Sequence, residues 1–228
     1  WIAGLANYNE VSDSSKVFHL TDEENLKSGQ IQKNQSIEAS LICAYHNANK
    51  KNPNINLEYN FVGFIVRNYQ IKNEIFKIGD LIVSIYDNET NKTYGINNPN
   101  EFKDILNKEL TVNDKITFVR DHEEMEVTVD KEFDYYNNQN MFYCYAKYDI
   151  KEETANPSYK LFKSNTLGPS GGLMQTLSVY SEITGFDYTY GKKIAGTGTI
   201  SVDGTVRKIG GVSQKIVTAI HNNADVFL

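Results

Sequence analysis

The first residues with chemical use are a serine set among glycines and a lysine downstream. Gly168-Pro169-Ser170-Gly171-Gly172 fits G-x-S-x-G, a pattern that presents a nucleophilic serine on a strand-to-helix turn. A serine hydroxyl needs a neighbouring base to take its proton. One candidate base is His221, with Asp187 or Asp203 as its orienting carboxylate. That chain order belongs to α/β-hydrolases, and the sequence after Ser170 lacks the strand–helix alternation they need. A conventional esterase is therefore the disfavoured reading. Lysine is the other candidate, since Ser-Lys is an established variant of the triad logic. At its reference pKa of about 10.4 a lysine is no base near neutrality, so it must be desolvated or set beside another cation. Val212, Lys215, Ile216 and Ala219 recur at i, i+3, i+4 and i+7, the stripe that an amphipathic helix turns to the core. Lys192, Lys193 and Lys208 stand in polar or turn settings. Taken singly, both residues have plainer uses: Ser170 as a helix N-cap, and Lys215 as a side chain whose ammonium reaches water.

The elements that must position these groups can be read around them. Leu173, Leu177 and Tyr180 mark the buried stripe expected of a helix after Ser170, with Ser170 on the same face at its first turn. The backbone N–H groups of such a helix start could stabilise an oxyanion. "KKIAGTGTISVDGTVRKIGG" reads as two short strands about an Asp203-Gly204 turn. "GVSQKIVTAIHNNA" reads as a helix and "DVFL" as the start of a strand. Further upstream, residues 1–35 look polar and loosely packed. "SIEASLICAYHNANK" has Ile37, Leu41, Ala44 and Tyr45 at helical spacing. Between Leu57 and about Phe133 the order is strand, turn, strand, helix, hairpin. "YNFVGFIVRN" is a strand with a close backbone approach at Gly63, and Gly79-Asp80 turns into a buried strand at Leu81–Ile85. "NPNEFKDILNKE" is a helix with Phe102, Ile105 and Leu106 inward, and the hairpin turns at Asp121-His122. Residues 134–145 read as a linker running into a strand, and "EETANPSY" as a loop.

Composition narrows the classes. The 228 residues are 40% hydrophobic and include 15 Tyr and 11 Phe, enough for a core in one large or two modest domains. A net charge of −6 argues against nucleic acid as a partner, because phosphate binding needs a basic face. No apolar run is long enough to span a bilayer. The first residue is Trp1 rather than Met, so an upstream segment is expected to have been removed. The four histidines (19, 46, 122 and 221) are scattered and no C-x-x-C exists, so no metal site is expected. Cys43 and Cys144 both sit in apolar runs and read as buried free thiols, with a disulfide left open.

Two resemblances extend this reading. "FKIGDLIVSIYDN", then "NEFKDILNK" and "DKITFVRDHEEMEVTV", resemble a bacterial PDZ domain, with the Gly-Asp pair before a buried strand as the most characteristic piece. The resemblance implies peptide binding by strand addition, with the groove starting at Phe61, Val62, Gly63 and Phe64. "GPSGGLMQTLSVYSEITG" followed by "KIAGTGTISVDGTVRKIGGVSQKIVTAIHNNADVFL" resembles the proteolytic domain of Lon peptidases. That family's signature is a Gly-Pro-Ser-small-Gly turn, a Thr-Gly hairpin, then Gly-x-Val-x-x-Ile-Gly-Gly with a lysine four residues on. Gly204 to Gly211 and Lys215 match it. The resemblance implies Ser170 and Lys215 as a catalytic dyad, with Thr197 orienting the amine and Gly171 supporting the turn. Gly171 stands where the family usually has alanine. The order of the two parts is similar to that of the membrane-anchored, PDZ-containing Lon-like proteases of bacteria. It implies an α+β protein in three stretches: 1–56 as a leading segment and helix packing with the protease domain, 57–133 PDZ-like, and 134–228 Lon-type, lacking its C-terminal end. It also implies polypeptide substrates, no cofactor and no ATP, the last consistent with the absence of a G-x-x-x-x-G-K-[ST] loop. An N-terminal membrane anchor, an extracytoplasmic catalytic part and self-association into homo-oligomers are further implications. The alternative is a catalytically inert peptide-binding scaffold.

Overall fold

The computed structural model describes residues 20–69, 75–106, 110–130, 142–161 and 167–228. The expectations for residues 1–19 and 134–141 lie outside these. The described residues form an α+β protein of four helices and ten strands: α1 (Asp22–Asn49), β1 (Asn56–Tyr69), β2 (Leu81–Asp87), β3 (Lys92–Gly95), α2 (Pro99–Leu106), β4 (Lys115–Arg120), β5 (Glu123–Thr128), β6 (Phe142–Asn156), α3 (Gly172–Thr184), β7 (Ile194–Ala195), β8 (Thr199–Ile200), β9 (Val206–Arg207), α4 (Val212–His221) and β10 (Val226–Phe227). The described residues divide into two compact units, one of those within 20–31 and 60–149, the other of those within 32–59 and 150–228.

The first unit is built on a sheet ordered β5-β4-β2-β1-β6, with β3 also on β2. Its core gathers Phe64, Val66, Phe76, Ile82, Ile85, Phe102, Ile105, Leu110, Ile116, Phe118 and Val129. The β4–β5 hairpin pairs Arg120 with Glu123, and its two central residues, Asp121 and His122, both have positive φ (49° and 70°). That is the primed turn whose twist matches the strands. Gly63 has φ +138°, and any side chain there would run into the Ile82 carbonyl, so the expected close approach is present. Buried Asp80 is held by a two-pronged pair with Arg120, at 2.9 Å from Nε and 2.6 Å from an Nη. Phe61, Val62, Gly63 and Phe64 lie in β1, which has β2 on one side and β6 on the other. On the β2 side the pairing runs through Phe64, opposite Ile82, and Ile65, opposite Leu81. The Phe61 ring packs edge-on to Phe64, Phe102 and Tyr148.

Two elements are longer than expected. A helix covers residues 22–35, which read as loose, and a capping box starts it: Thr21 Oγ1 accepts from the Glu24 N–H while Glu24 accepts from the Thr21 N–H. Strand β6 continues to Asn156, through most of the segment read as a loop.

In the second unit, the C-terminal part of α1 packs on α3. Leu41, Ala44, Tyr45, Ala48 and Ile55 meet Val179 and Ile183 in one core. Burial in a core of this kind stabilises by roughly 1.5–3 kcal/mol for each large apolar side chain. Helix α3 ends at Gly185, whose left-handed φ of 67° makes it a C-terminal stop. Beyond it, β7 pairs in parallel with β10, and β8 with β9 as the expected hairpin about Asp203-Gly204. Cys43 and Cys144 are free, and burial raises the pKa of both thiols.

Candidate active site

Ser170 lies in the turn just before α3. It is not the N-cap, a place taken by Gly171 without any side-chain cap bond. The turn is pinned at two consecutive carbonyls. Pro169 O accepts from the Gly172 N–H at 3.2 Å and from the Ser36 hydroxyl at 3.0 Å. Ser170 O accepts from the Gly198 N–H at 2.9 Å and from the Thr197 hydroxyl at 3.0 Å. A second tie binds Leu173 N–H to Gly198 O at 3.0 Å. The segment 197–198, between β7 and β8, thus holds one side of the serine turn, and α1 holds the other.

The glycines divide their work unevenly. Gly171 has φ −89°, which any residue adopts. Gly168 has φ +81°, which favours glycine. Gly172 is the residue whose bareness is required: a Cβ there would meet Ser36 Oγ at 2.5 Å, Ile200 Cγ2 at 2.9 Å and Ile200 N at 3.1 Å.

Lys215 donates from Nζ to Thr197 Oγ1 at 3.0 Å. Since Thr197 in turn donates to Ser170 O, the three residues form one hydrogen-bonded line, Lys215 to Thr197 to the Ser170 backbone. The structure contains no hydrogen bond between Lys215 Nζ and the Ser170 hydroxyl. Partial burial lowers the Lys215 pKa below the usual lysine value, the direction a neutral base requires. The route to that burial differs from expectation. Val212 and Ile216 are 41% and 38% exposed, and of the α4 stripe only Ala219 is buried. Lys215 is partly covered because its amine turns in to Thr197. The α3 stripe shifts as well: Gly172, Thr176, Val179 and Ile183 are the buried residues, while Leu173, Leu177 and Tyr180 are half-covered.

The histidine alternative loses support. Asp187 accepts from the N–H and hydroxyl of Thr189, and Asp203 from the Thr205 N–H, so each carboxylate closes its own turn and has its pKa lowered by it. His221 is exposed at the end of α4. A cavity of about 220 Å³ lined by Ala48, Lys51, Asn52, Ile55, Tyr180, Thr184 and Phe186 contains none of the candidate residues. Among the described residues no cluster of His, Cys, Asp and Glu could hold a metal ion.

Residues 163–227 match the family model described as the Lon protease (S16) C-terminal proteolytic domain. The matched segment is similar to that protease domain and covers the C-terminal part of the chain. It spans Ser170, Thr197 and Lys215, and the family is one of serine proteases. No curated protein and no solved structure matches the chain.

Sequence reasoning missed Ser36 and Ser40. Ser40 is fully buried, with its hydroxyl 2.6 Å from Ser36 O and 3.0 Å from Gly172 O. The available signal was two serines four residues apart, on one face of a helix that is otherwise apolar there.

Proposed function

We propose that this protein is a serine endopeptidase in which Ser170 and Lys215 form a catalytic dyad. The observation that carries the reading is the line from a desolvated Lys215 amine through the Thr197 hydroxyl to the backbone of Ser170, inside a Lon-like protease domain. The neutral Lys215 amine takes the proton from Ser170 Oγ as the oxygen attacks the scissile carbonyl. The resulting ammonium returns a proton to the leaving amine, and water then releases the acyl group by the same exchange. Thr197 aims the amine. The amides of Gly172 and Leu173 already donate to Pro169 O and Gly198 O. Backbone N–H groups at the start of the Ser170 helix hold the oxyanion. The hydrogen bond between the Lys215 amine and Ser170 Oγ is one that tightens when substrate binds. No step uses a nucleotide or a metal.

The antiparallel unit is proposed as a PDZ-like module that engages substrate polypeptide. The strand expected to receive an added peptide is β1 at Phe61, Val62, Gly63 and Phe64. Membrane anchoring, an extracytoplasmic catalytic part and self-association rest on the resemblance to anchored PDZ-containing Lon-like proteases. Among the described residues no helix is long and apolar enough to cross a membrane. Because the hydrogen bond of Lys215 Nζ goes to Thr197 Oγ1, one second reading stands beside the first, an inert peptide-binding scaffold.

The test is hydrolysis of an unfolded protein substrate, together with labelling by a serine-directed phosphonate. Turnover abolished by Ser170→Ala and by Lys215→Ala, with the label mapped to Ser170, supports the dyad. Full turnover in either variant overturns it. Peptide capture without turnover, unchanged in Ser170→Ala, would establish the scaffold.

A further inference from the structure

We propose that Ser36, on helix α1, is a positioning residue for the nucleophile: its hydroxyl clamps the peptide bond before Ser170 and so sets the direction in which Ser170 Oγ leaves the turn. The inference rests on the reading of Ser170 as nucleophile. The bond spans 133 residues of sequence, from Ser36 Oγ to Pro169 O at 3.0 Å, and Ser36 is only 6% exposed. Water cannot readily replace a donor at so buried a place, so loss of the hydroxyl leaves the carbonyl short of a partner.

The position of the clamp gives it leverage. The direction of a side chain follows from the two peptide planes that flank its Cα. Those planes carry Pro169 O, which accepts from the Ser36 hydroxyl and the Gly172 N–H, and Ser170 O, which accepts from the Thr197 hydroxyl and the Gly198 N–H. The Ser170 O side is tied to Thr197 and Gly198, the same segment that receives Lys215. The Pro169 O side is tied to α1 by Ser36. Releasing it would let the 169–170 peptide rotate and move Ser170 Oγ against a lysine held elsewhere. A displacement of about 1 Å at a reacting atom costs on the order of 10²-fold in rate. Gly172 belongs to the device, since a Cβ there would occupy the space of the Ser36 hydroxyl.

Ser40 provides the internal control. It too is a buried α1 serine, and its hydroxyl lies 3.0 Å from Gly172 O, a carbonyl that does not flank the Ser170 Cα. The experiment compares Ser36→Ala, Ser36→Thr and Ser40→Ala by steady-state hydrolysis, pH profile, urea unfolding and amide hydrogen exchange. Ser36→Ala is expected to lower kcat by roughly 10–100-fold with KM within about twofold. The inflection of its pH profile stays where it was, because Lys215 is untouched. Exchange at the Gly172 amide accelerates while that of residues 176–184 holds. Ser36→Thr restores most of kcat. Ser40→Ala loses comparable stability with kcat within about threefold. Equal loss of kcat in both alanine variants, or unchanged exchange at Gly172 in Ser36→Ala, overturns the proposal. If Ser170→Ala retains activity, the nucleophile reading fails instead, and exchange at Gly172 still decides whether Ser36 holds the turn.

Discussion

Replacing Gly172 by alanine should destabilise the unit that carries the serine turn, and the coordinates allow the size to be worked out. The new methyl would stand 2.5 Å from Ser36 Oγ, 2.9 Å from Ile200 Cγ2 and 3.1 Å from Ile200 N. The serine can rotate away, but it then gives up its bond to Pro169 O, a loss of about 1 kcal/mol. Ile200 N is backbone and must shift, so overpacking adds about 1–3 kcal/mol. Alanine in place of a helical glycine returns about 0.5–1 kcal/mol. The net expectation is a loss of about 1–3 kcal/mol. The assay is urea unfolding followed by circular dichroism, with hydrogen exchange of α3 to assign the transition to this unit. At an m-value of about 1–3 kcal/mol per molar, the midpoint should fall by roughly 1 M. A double-mutant cycle sharpens the test. Ser36→Ala removes the closest of the three contacts, so Gly172→Ala should cost about 1 kcal/mol less in that background. A Gly172→Ala protein as stable as the parent, or strict additivity with Ser36→Ala, would refute the packing argument.

Further outcomes follow from individual groups. Burial lowers the Lys215 pKa, so the folded protein binds this proton more weakly than the unfolded chain, and stability from this group rises with pH between the lowered value and about 10.5. Peptidase activity should likewise rise with pH, with an inflection below 10.5, and the stability difference between Lys215→Met and the parent should shift in the parent's favour as pH climbs through that window; a flat activity profile would remove lysine as the base. Arg120→Leu leaves the carboxylate of Asp80, 2% exposed, without its cation, and should cost about 3–5 kcal/mol in urea unfolding. His221→Asn should keep kcat/KM within about twofold, because Asp187 and Asp203 are engaged in their own turns; a loss beyond tenfold would reopen the histidine reading.

What could be read without coordinates was local. Turn residues placed the hairpins at Asp121-His122 and Asp203-Gly204: both central residues of the first have positive φ, and the longer second connection takes its positive φ at Gly204, the residue that adopts it most readily. Phe102 and Ile105 marked the inner face of α2 for the same reason: a short helix with one apolar side announces what it buries. The stripes of α3 and α4 were misjudged because their sequences are apolar on more than one face. In α3 the small residues Gly172 and Thr176 are buried ahead of Leu173 and Leu177, and in α4 Val212 and Ile216 stay in solvent. The interior place of β1 was hidden for another reason, since strand order depends on partners and β6 lies far along the chain.

For the site the division is sharper. The sequence by itself determined which groups are available for chemistry: a serine in a glycine turn, and a lysine at a set distance beyond paired glycines. Spacing carries that information because a turn and a helix start are built from neighbouring residues. Only the tertiary structure decided how those groups are held. It joined Lys215 to the Ser170 backbone through Thr197, and it drew Ser36 across 133 residues onto the serine turn and Ser40 across 132 onto the first residue of α3. Such contacts leave no period in the sequence, because a hydrogen bond between distant segments asks of each partner only one polar atom in the right place.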